Sequence, residues 1–257
     1  VDGVAAHLGL LWEEDGTEEN ILDEGYITFG ATETIPFYAT AGKMYLPFGN
    51  FESAFISDPL TLEMAEINES AALAGFGNEW VDVNAGGFNG SNDNTIENGF
   101  AALSFTLSET VVFGAYWISN ILETDGFDDD SFVPVSAMND VGGAGAFVNA
   151  QIGIVSLNAE YVTALEKIEG TGLTPNSYNI EVSMPIGETL SAGMKFEGSD
   201  DFFAAVGGDR FANWQTGFVV SCEFNEHVIL SGEYLHADGL DNDESGDTAT
   251  MQIALVF

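Results

Sequence analysis

The feature that most constrains the fold is a period-two alternation of apolar and polar residues that recurs along the chain. It is clearest in the last segment, TATMQIALVF, where every second residue from Ala249 to Phe257 is apolar. Such alternation is typical of β-strands with one apolar face, and a tilted strand needs only about 9–11 residues to cross a membrane. We predict about fourteen such strands, near 3–12, 21–32, 35–46, 69–78, 80–90, 96–107, 109–119, 141–153, 155–166, 176–186, 188–197, 213–224, 226–237 and 248–257.

The connections between these predicted strands alternate in length. Short turns such as Gly153–Ile154 and Gly187–Glu188 alternate with long segments near 13–20, 47–68, 91–95, 120–140, 167–175, 198–212 and 238–247. Long loops on one side and tight turns on the other are the layout of an outer-membrane barrel. We therefore predict an all-β fold, a single transmembrane antiparallel up-and-down β-barrel over residues 1–257. The alternative is a soluble β-sandwich or jelly roll, which also alternates.

Composition limits the partners. The chain has 42 acidic residues and 4 basic ones, a net charge of −38. Nucleic acid is excluded as a partner because phosphate binding needs clustered lysine and arginine. Electrostatic docking on anionic lipid is also disfavoured, although the barrel itself requires outer-membrane lipid around it. The single Cys222 allows no internal disulfide. The chain begins directly in a strand-like segment, so we expect that a leader has been removed.

The insertion at 47–68, PFGNFESAFISDPLTLEMAEIN, is too long for a turn and too apolar for a solvated loop. Full exposure of Phe48, Phe51 and Phe55 would be costly. We predict that this segment folds into the barrel, packs on the wall and constricts the lumen. The alternative is that it covers the barrel mouth or contacts another subunit.

Residues 42–76 resemble the signature region of the LbtU-type (legiobactin-uptake) siderophore porins. The resemblance implies an outer-membrane barrel associated with siderophore uptake, without an N-terminal plug domain. Outside this region the chain is similar to that family only in being barrel-like. The residues that carry the resemblance are Gly42, Lys43, Tyr45, Pro47, Phe48, Gly49, Phe51, Ser57, Asp58, Pro59, Leu60, Thr61, Glu63 and Glu66.

If the apolar strand faces meet lipid, the opposite faces line the lumen. An acidic lumen concentrates cations and repels anions. The alternative is that each of these side chains only solvates a water-filled interior. The predicted lumen residues include Asp82, Glu160, Glu181, Lys195, Glu223 and Glu233.

The acidic segment 241–247 matches the opening of a calcium-binding loop, with Asp241, Asp243, Ser245 and Asp247 as oxygen ligands. Gln252 stands where the bidentate glutamate of such a loop is expected. We expect no required cofactor, with Ca²⁺ as an optional ligand. The alternative is a solvated, salt-screened surface.

Catalysis has no support in the sequence. The three histidines lack the paired spacing of a zinc site, and no nucleophile motif is present. We predict a porin-like channel of the bacterial outer membrane that passes a small solute and could form a homo-oligomer.

Two other functions stay open. One is a structural barrel that assembles into a surface lattice or filament bridged by divalent cations. The other is a soluble carbohydrate-binding barrel. Aromatic residues in or beside the long loops could make the lattice contacts, or they could form the membrane-interface girdle; they are Phe127, Phe132, Phe202, Phe203 and Trp214.

Overall fold

The computed structural model describes residues 3–11, 22–32, 35–90, 95–128, 139–202, 212–240 and 244–255. Within these ranges, fourteen strands form one sheet in sequence order, so that each strand pairs with its neighbours along the chain. The paired strands are antiparallel throughout, from β1 with β2 to β13 with β14. The strands are β1 (Val4–Leu10), β2 (Leu22–Thr32), β3 (Ile35–Tyr45), β4 (Asn68–Gly77), β5 (Val81–Asn89), β6 (Ile96–Ser108), β7 (Val111–Ile118), β8 (Gly143–Ile152), β9 (Val155–Ala164), β10 (Asn176–Ile186), β11 (Leu190–Asp200), β12 (Trp214–Asn225), β13 (Val228–Leu240) and β14 (Glu244–Leu255).

Helix is scarce in the described residues. Helix α1 (Leu60–Ala65) lies between β3 and β4, and a 3-10 helix at Ile121–Glu123 precedes the single turn of α2 (Asp125–Asp128). None of the helices in these ranges is long and apolar enough to cross a membrane. The period-two pattern does not predict α1, because its short helical segment has no strand alternation.

The sheet exposes its apolar residues and buries its polar ones. In β10, Ile180 is 46% exposed, whereas its neighbour Glu181 is 1% exposed and Asn179 is 2% exposed. In β14, Met251 and Ile253 are exposed by 78% and 68%. A soluble sandwich would place these apolar side chains between two sheets, so that alternative is wrong. An apolar outer face with a polar interior is typical of a wall in lipid.

The two ends of the sheet differ as the connection lengths predict. At one end, called the turn end, β8–β9 and β10–β11 are joined by tight turns at 153–154 and 187–189. Gly153 and Gly187 have φ of 65° and 77° there, a conformation in which glycine avoids a steric cost. The long connections lie at the opposite, loop end. One predicted loop is wrong: 238–247 is mostly strand, because β13 continues to Leu240 and β14 begins at Glu244.

Aromatic rings on both faces of the sheet lie over glycines of the next strand, Tyr116 on the inner face and Tyr178 on the outer face. Tyr116 is directly paired with Gly145, and Tyr178 with Gly198. A Cβ atom on Gly145 would overlap the Tyr116 ring, and one on Gly198 would lie 2.6 Å from the Tyr178 hydroxyl. Glycine at these positions therefore leaves the space that each ring occupies.

Candidate functional site

The connection between β3 and β4, residues 46–67, crosses the interior of the sheet and is called the inner loop. Its ends meet where the Leu46 N–H donates to the Ile67 carbonyl at 3.0 Å. Between these ends its backbone amides bond to carboxylates on strands as distant as β9 and β13. A connection of neighbouring strands can reach those positions only if the sheet curves around it.

Glu160 of β9 holds the first part of the inner loop. Its carboxylate accepts hydrogen bonds from the N–H groups of Asn50 and Phe51 at 2.7 and 3.0 Å. It also accepts from the Thr61 hydroxyl at 3.1 Å and the Tyr116 hydroxyl at 2.6 Å. Four donors satisfy the acceptor sites of one buried carboxylate, which is the condition for burying that charge.

Glu181 and Glu233 hold the middle of the inner loop in the same way. Glu181 accepts from the Ser53 hydroxyl and the Ala54 N–H, both at 2.8 Å. Glu233 accepts from the N–H groups of Ile56 and Ser57 at 2.7 and 3.1 Å, and from the Ser57 hydroxyl. Hydrogen bonds to a charged acceptor are stronger than neutral ones, so these contacts order a segment without regular secondary structure.

Glu197 of β11 holds the start of α1 and neutralises a buried lysine. It accepts from the Leu60 N–H at 2.7 Å and from Gln215 Nε2 at 2.6 Å. Lys195 Nζ lies 2.6 Å from the Glu197 carboxylate, and both side chains are fully buried. The same ammonium lies 4.9 Å from the centre of the Phe55 ring, a cation–π distance. We call Glu160, Glu181, Glu197 and Glu233 the carboxylate latch.

Apolar contacts complete the packing of the inner loop. Phe48 is fully buried and meets the Tyr116 ring edge-on, with centroids 5.1 Å apart. The connection between β7 and β8 packs on α1. Its Thr124 hydroxyl donates to the Met64 carbonyl at 2.8 Å. Phe127 and Phe202 are buried against each other, with centroids 5.2 Å apart.

The residues that carry the resemblance to siderophore porins differ in their burial. Phe48, Pro59, Leu60 and Thr61 are buried, whereas Asp58 and Glu63 are exposed. Gly49 has φ of 130°, and a Cβ atom there would overlap the Phe51 ring. The other members, Gly42, Lys43, Tyr45, Pro47, Phe51, Ser57 and Glu66, are partly accessible or exposed.

The predicted lumen residues fall into two groups. Glu160, Glu181, Lys195 and Glu233 are buried against the inner loop, whereas Asp82 is partly accessible and Glu223 is exposed near the turn end. Sequence reasoning missed Glu197 and Tyr116. Glu197 lies two residues after Lys195, so the period-two rule places both on one face. Their partners in the inner loop depend on long-range contacts that no local pattern contains.

The predicted calcium ligands do not form a described site. Asp241 and Asp243 lie outside the described residues, and Ser245 belongs to β14. Asp247, also in β14, accepts a hydrogen bond from the Tyr234 hydroxyl at 2.7 Å and lies 2.8 Å from His236 Nδ1. Across the described ranges, no group of three or more His, Cys, Asp or Glu side chains is arranged to hold a metal ion. Calcium binding stays a prediction.

The aromatics predicted for lattice contacts give a mixed result. Phe127 and Phe202 are buried within the chain, so they offer no surface for a neighbour. Trp214 lies beside Phe196 and His236. Phe132 and Phe203 lie outside the described residues.

Within the described part of the chain, three cavities lie on the β2–β9 side of the interior. The loop-end cavity, of about 360 Å³, is lined by β2–β5 residues that include Glu24, Tyr26 and Tyr38. The middle cavity, of about 220 Å³, shares Pro47 and Asn84 with it. The turn-end cavity, of about 290 Å³, shares Asn50 with the middle one and reaches Glu109 and Gln151. The shared residues make the three cavities neighbours in a row along the wall.

Burial and neighbouring carboxylates change the pKa of Glu66, near the end of the inner loop that leads into β4. Burial raises the pKa of Glu66 to about 7, and repulsion from Asp125, Asp58, Glu63 and Asp23 adds to the increase. The folded state therefore binds more protons than the unfolded chain between about pH 4.5 and 7. The contribution of Glu66 to stability is present below this window and is lost as the pH rises through it.

We expect Glu66→Gln to stabilise the chain by about 1–2 kcal/mol at pH 8 and to flatten the pH dependence, because a neutral amide costs less to bury than a carboxylate and is not repelled by the neighbouring carboxylates. Unfolding in detergent micelles at pH 5, 6, 7 and 8 measures this effect. Glu52→Gln, the same change at an exposed position of the same loop, is the control. Equal pH dependence in both variants would contradict the expectation.

Comparisons with known proteins support the fold. No protein-family model matches the chain. A UPF0422 protein of Coxiella burnetii (strain RSA 493 / Nine Mile phase I) is 23% identical over 203 residues, covering 70% of this chain and 44% of the relative. A UPF0422 protein of Legionella pneumophila subsp. pneumophila is 34% identical over 55 residues, 21% of this chain and 10% of the relative. The chain thus spans less than half the length of these relatives.

Solved structures match over nearly the whole chain. The outer membrane channel DcaP of Acinetobacter baumannii superposes with a TM-score of 0.66 at 9% identity, over 97% of this chain and 79% of DcaP. OprB of Pseudomonas putida superposes with a TM-score of 0.62 at 10% identity, over 92% of this chain and 73% of OprB. The trimer form of OmpT, an outer membrane protein of Vibrio cholerae, superposes with a TM-score of 0.52 at 14% identity, over 98% of this chain and 96% of OmpT. The predicted all-β, up-and-down antiparallel fold of outer-membrane porins is confirmed.

Proposed function

We propose that this chain is a porin-like diffusion channel of the bacterial outer membrane, in which the inner loop constricts the lumen. The observation that carries the proposal is the inner loop itself, held inside the sheet by buried carboxylates of β9, β10, β11 and β13. A purely structural wall has no need of a polar, hydrogen-bonded partition across its interior. The row of cavities beside that partition supports a route for water and small solutes.

The fold neighbours support a channel rather than an enzyme. DcaP is an outer membrane channel, and the exposed apolar wall of this chain suits the same lipid environment. OmpT was solved in a trimer form, and a homo-oligomer is part of the proposal. The resemblance of residues 42–76 to siderophore porins makes a metal chelate one candidate solute.

Single-channel recording tests the proposed function. The full chain, folded in detergent and added to planar bilayers in 1 M KCl, is expected to give stepwise conductance. Swelling of liposomes in small sugars provides an independent measurement. A folded chain that inserts but gives neither conductance nor swelling would contradict the channel.

The lattice alternative has a separate test. Electron microscopy of the native envelope with and without chelator would detect ordered arrays bridged by divalent cations. The burial of Phe127 and Phe202 removes two of the side chains on which that alternative depended.

A further inference from the structure

We propose that solutes pass along the β2–β9 side of the interior, around Pro47–Asn50, and that Asp82 selects small cations on this path. The inference rests on the proposed channel function and names the solute class of the same interior. It does not require a central opening through the inner loop.

The position of the path follows from where the inner loop is held. All four carboxylates of the latch belong to strands from β9 to β13, so the inner loop lies against that half of the wall. The three cavities lie on the β2–β9 side, and the two lining residues that belong to a latch strand are Ser156 and Asn158 of β9, in the turn-end cavity. The cavities begin near the loop end at Glu24 and Tyr45 and finish near the turn end at Glu109 and Thr110.

The charge of the path comes from accessible carboxylates. The latch glutamates accept hydrogen bonds from the inner loop, which compensates their charge, and Lys195 is paired with Glu197. Among the described residues that line the three cavities, the charged side chains are acidic, and neither lysine nor arginine is present; they are Glu24, Asp82, Glu52 and Glu109.

Asp82 lies next to the junction of the middle and loop-end cavities. It lines the middle cavity, the smallest of the three, and the neighbouring Asn84 lines both the middle and loop-end cavities. The Tyr38 hydroxyl donates to both carboxylate oxygens at 2.9 and 3.1 Å, and Asn84 Nδ2 donates at 3.1 Å. These donors fix the carboxylate on the wall while leaving acceptor capacity for a solute.

The solute class follows from this chemistry. A fixed carboxylate on the wall of a passage attracts ammonium groups and hydrated metal cations and repels anions. The hydroxyl and amide groups around it, including Ser104 and Asn50, suit solutes that carry water or hydrogen-bond donors. A chelate with net negative charge would be disfavoured at this point.

Reversal potentials across a KCl gradient test the role of Asp82. The wild-type chain is expected to be cation-selective, and Asp82→Asn is expected to lower the cation-to-anion permeability ratio about fivefold, because one fixed charge on the wall of the middle cavity is removed. Glu188→Gln, the matched control, removes a carboxylate from an exposed turn between β10 and β11 and should leave the ratio unchanged.

The outcomes separate this inference from the proposed function. The channel could conduct while its cation-to-anion permeability ratio is unchanged by Asp82→Asn, or is lowered equally by Glu188→Gln. Either result would overturn the role of Asp82 but not the channel function. Absence of conductance in the wild-type chain would instead contradict the channel.

A cysteine probe covers the case in which Asp82→Asn does not fold. Ser104 is the direct cross-strand partner of Asp82, and Ser104→Cys in a Cys222→Ser background keeps the carboxylate. We expect a cationic methanethiosulfonate reagent to modify this cysteine about fivefold faster than an anionic one, with loss of conductance. Equal rates for the two reagents, or modification without any change in conductance, would overturn the proposed path.

Discussion

Glu160→Ala is expected to lower the free energy of unfolding by about 3–5 kcal/mol and to release the first part of the inner loop. The carboxylate accepts four hydrogen bonds, from Asn50, Phe51, Thr61 and Tyr116. Alanine would leave these donors without their acceptor in a place that water reaches poorly. Glu160→Gln keeps one oxygen acceptor and should have an intermediate effect.

Two measurements check this expectation. Urea unfolding in detergent micelles, followed by tryptophan fluorescence, gives the loss of stability. Limited proteolysis of the folded barrel gives the release of the loop, with new cleavage expected near residues 50–56. If the inner loop constricts the channel, the same variant should also show larger and noisier conductance steps.

The control for Glu160→Ala is Glu166→Ala, which removes a carboxylate from an exposed position beyond the end of β9. It should change stability by less than about 0.5 kcal/mol, as is usual for surface substitutions. Equal stability and equal protease resistance of the two variants would show that the Glu160 contacts do not hold the loop.

The second large effect is expected from Gly145→Ala, a change of one methyl group. A Cβ atom at this position would overlap the Tyr116 ring, and that ring cannot move without losing two contacts. Its hydroxyl donates to Glu160 at 2.6 Å. Its ring also forms a T-shaped pair with the Phe48 ring. We expect a loss of about 2–4 kcal/mol, the sum of overpacking and a lost hydrogen bond to a charged group.

Gly232→Ala is the matched control for this prediction. Gly232 lies within β13, and a Cβ atom there would have no heavy atom within 4 Å. Its replacement should be close to neutral in the same unfolding assay. The double variant Gly145→Ala/Tyr116→Phe tests the mechanism, because removal of the hydroxyl should make the remaining cost of Gly145→Ala smaller. If Gly145→Ala lowers the free energy of unfolding equally in the Tyr116→Phe background, the loss comes from overpacking alone.

Most of the wall could be predicted from the sequence. The alternation in segments such as 176–186 separates Ile180 and Val182 from Asn179 and Glu181, and the structure exposes the first pair and buries the second. This works because a strand has a side-chain period of two residues, and lipid requires an apolar face over the full span. Connection lengths then give the topology, since short turns leave only neighbouring strands to pair.

The inner loop could be predicted only in part. Its length and its phenylalanines predict an inward fold, but α1 and the cover provided by the 121–128 segment carry no clear local signal. The predicted start of β14 at 248 is also too late, because the acidic residues from Glu244 to Asp247 have the composition of a loop. Pairing with β13 supplies backbone hydrogen bonds that extend the strand beyond its apolar pattern.

The sequence by itself therefore determined the strands, their inner and outer faces and the end on which the long connections lie, because each depends on local period and spacing. Only the tertiary structure decided which carboxylate meets which amide. Glu160 and Asp82 are both acidic residues on inner faces, and nothing in their neighbourhoods distinguishes them. The curvature of the sheet brings Glu160 against the inner loop, where four donors engage it, and leaves Asp82 accessible in the middle cavity. Residues far apart in the chain meet there, and that meeting gives the two carboxylates different roles.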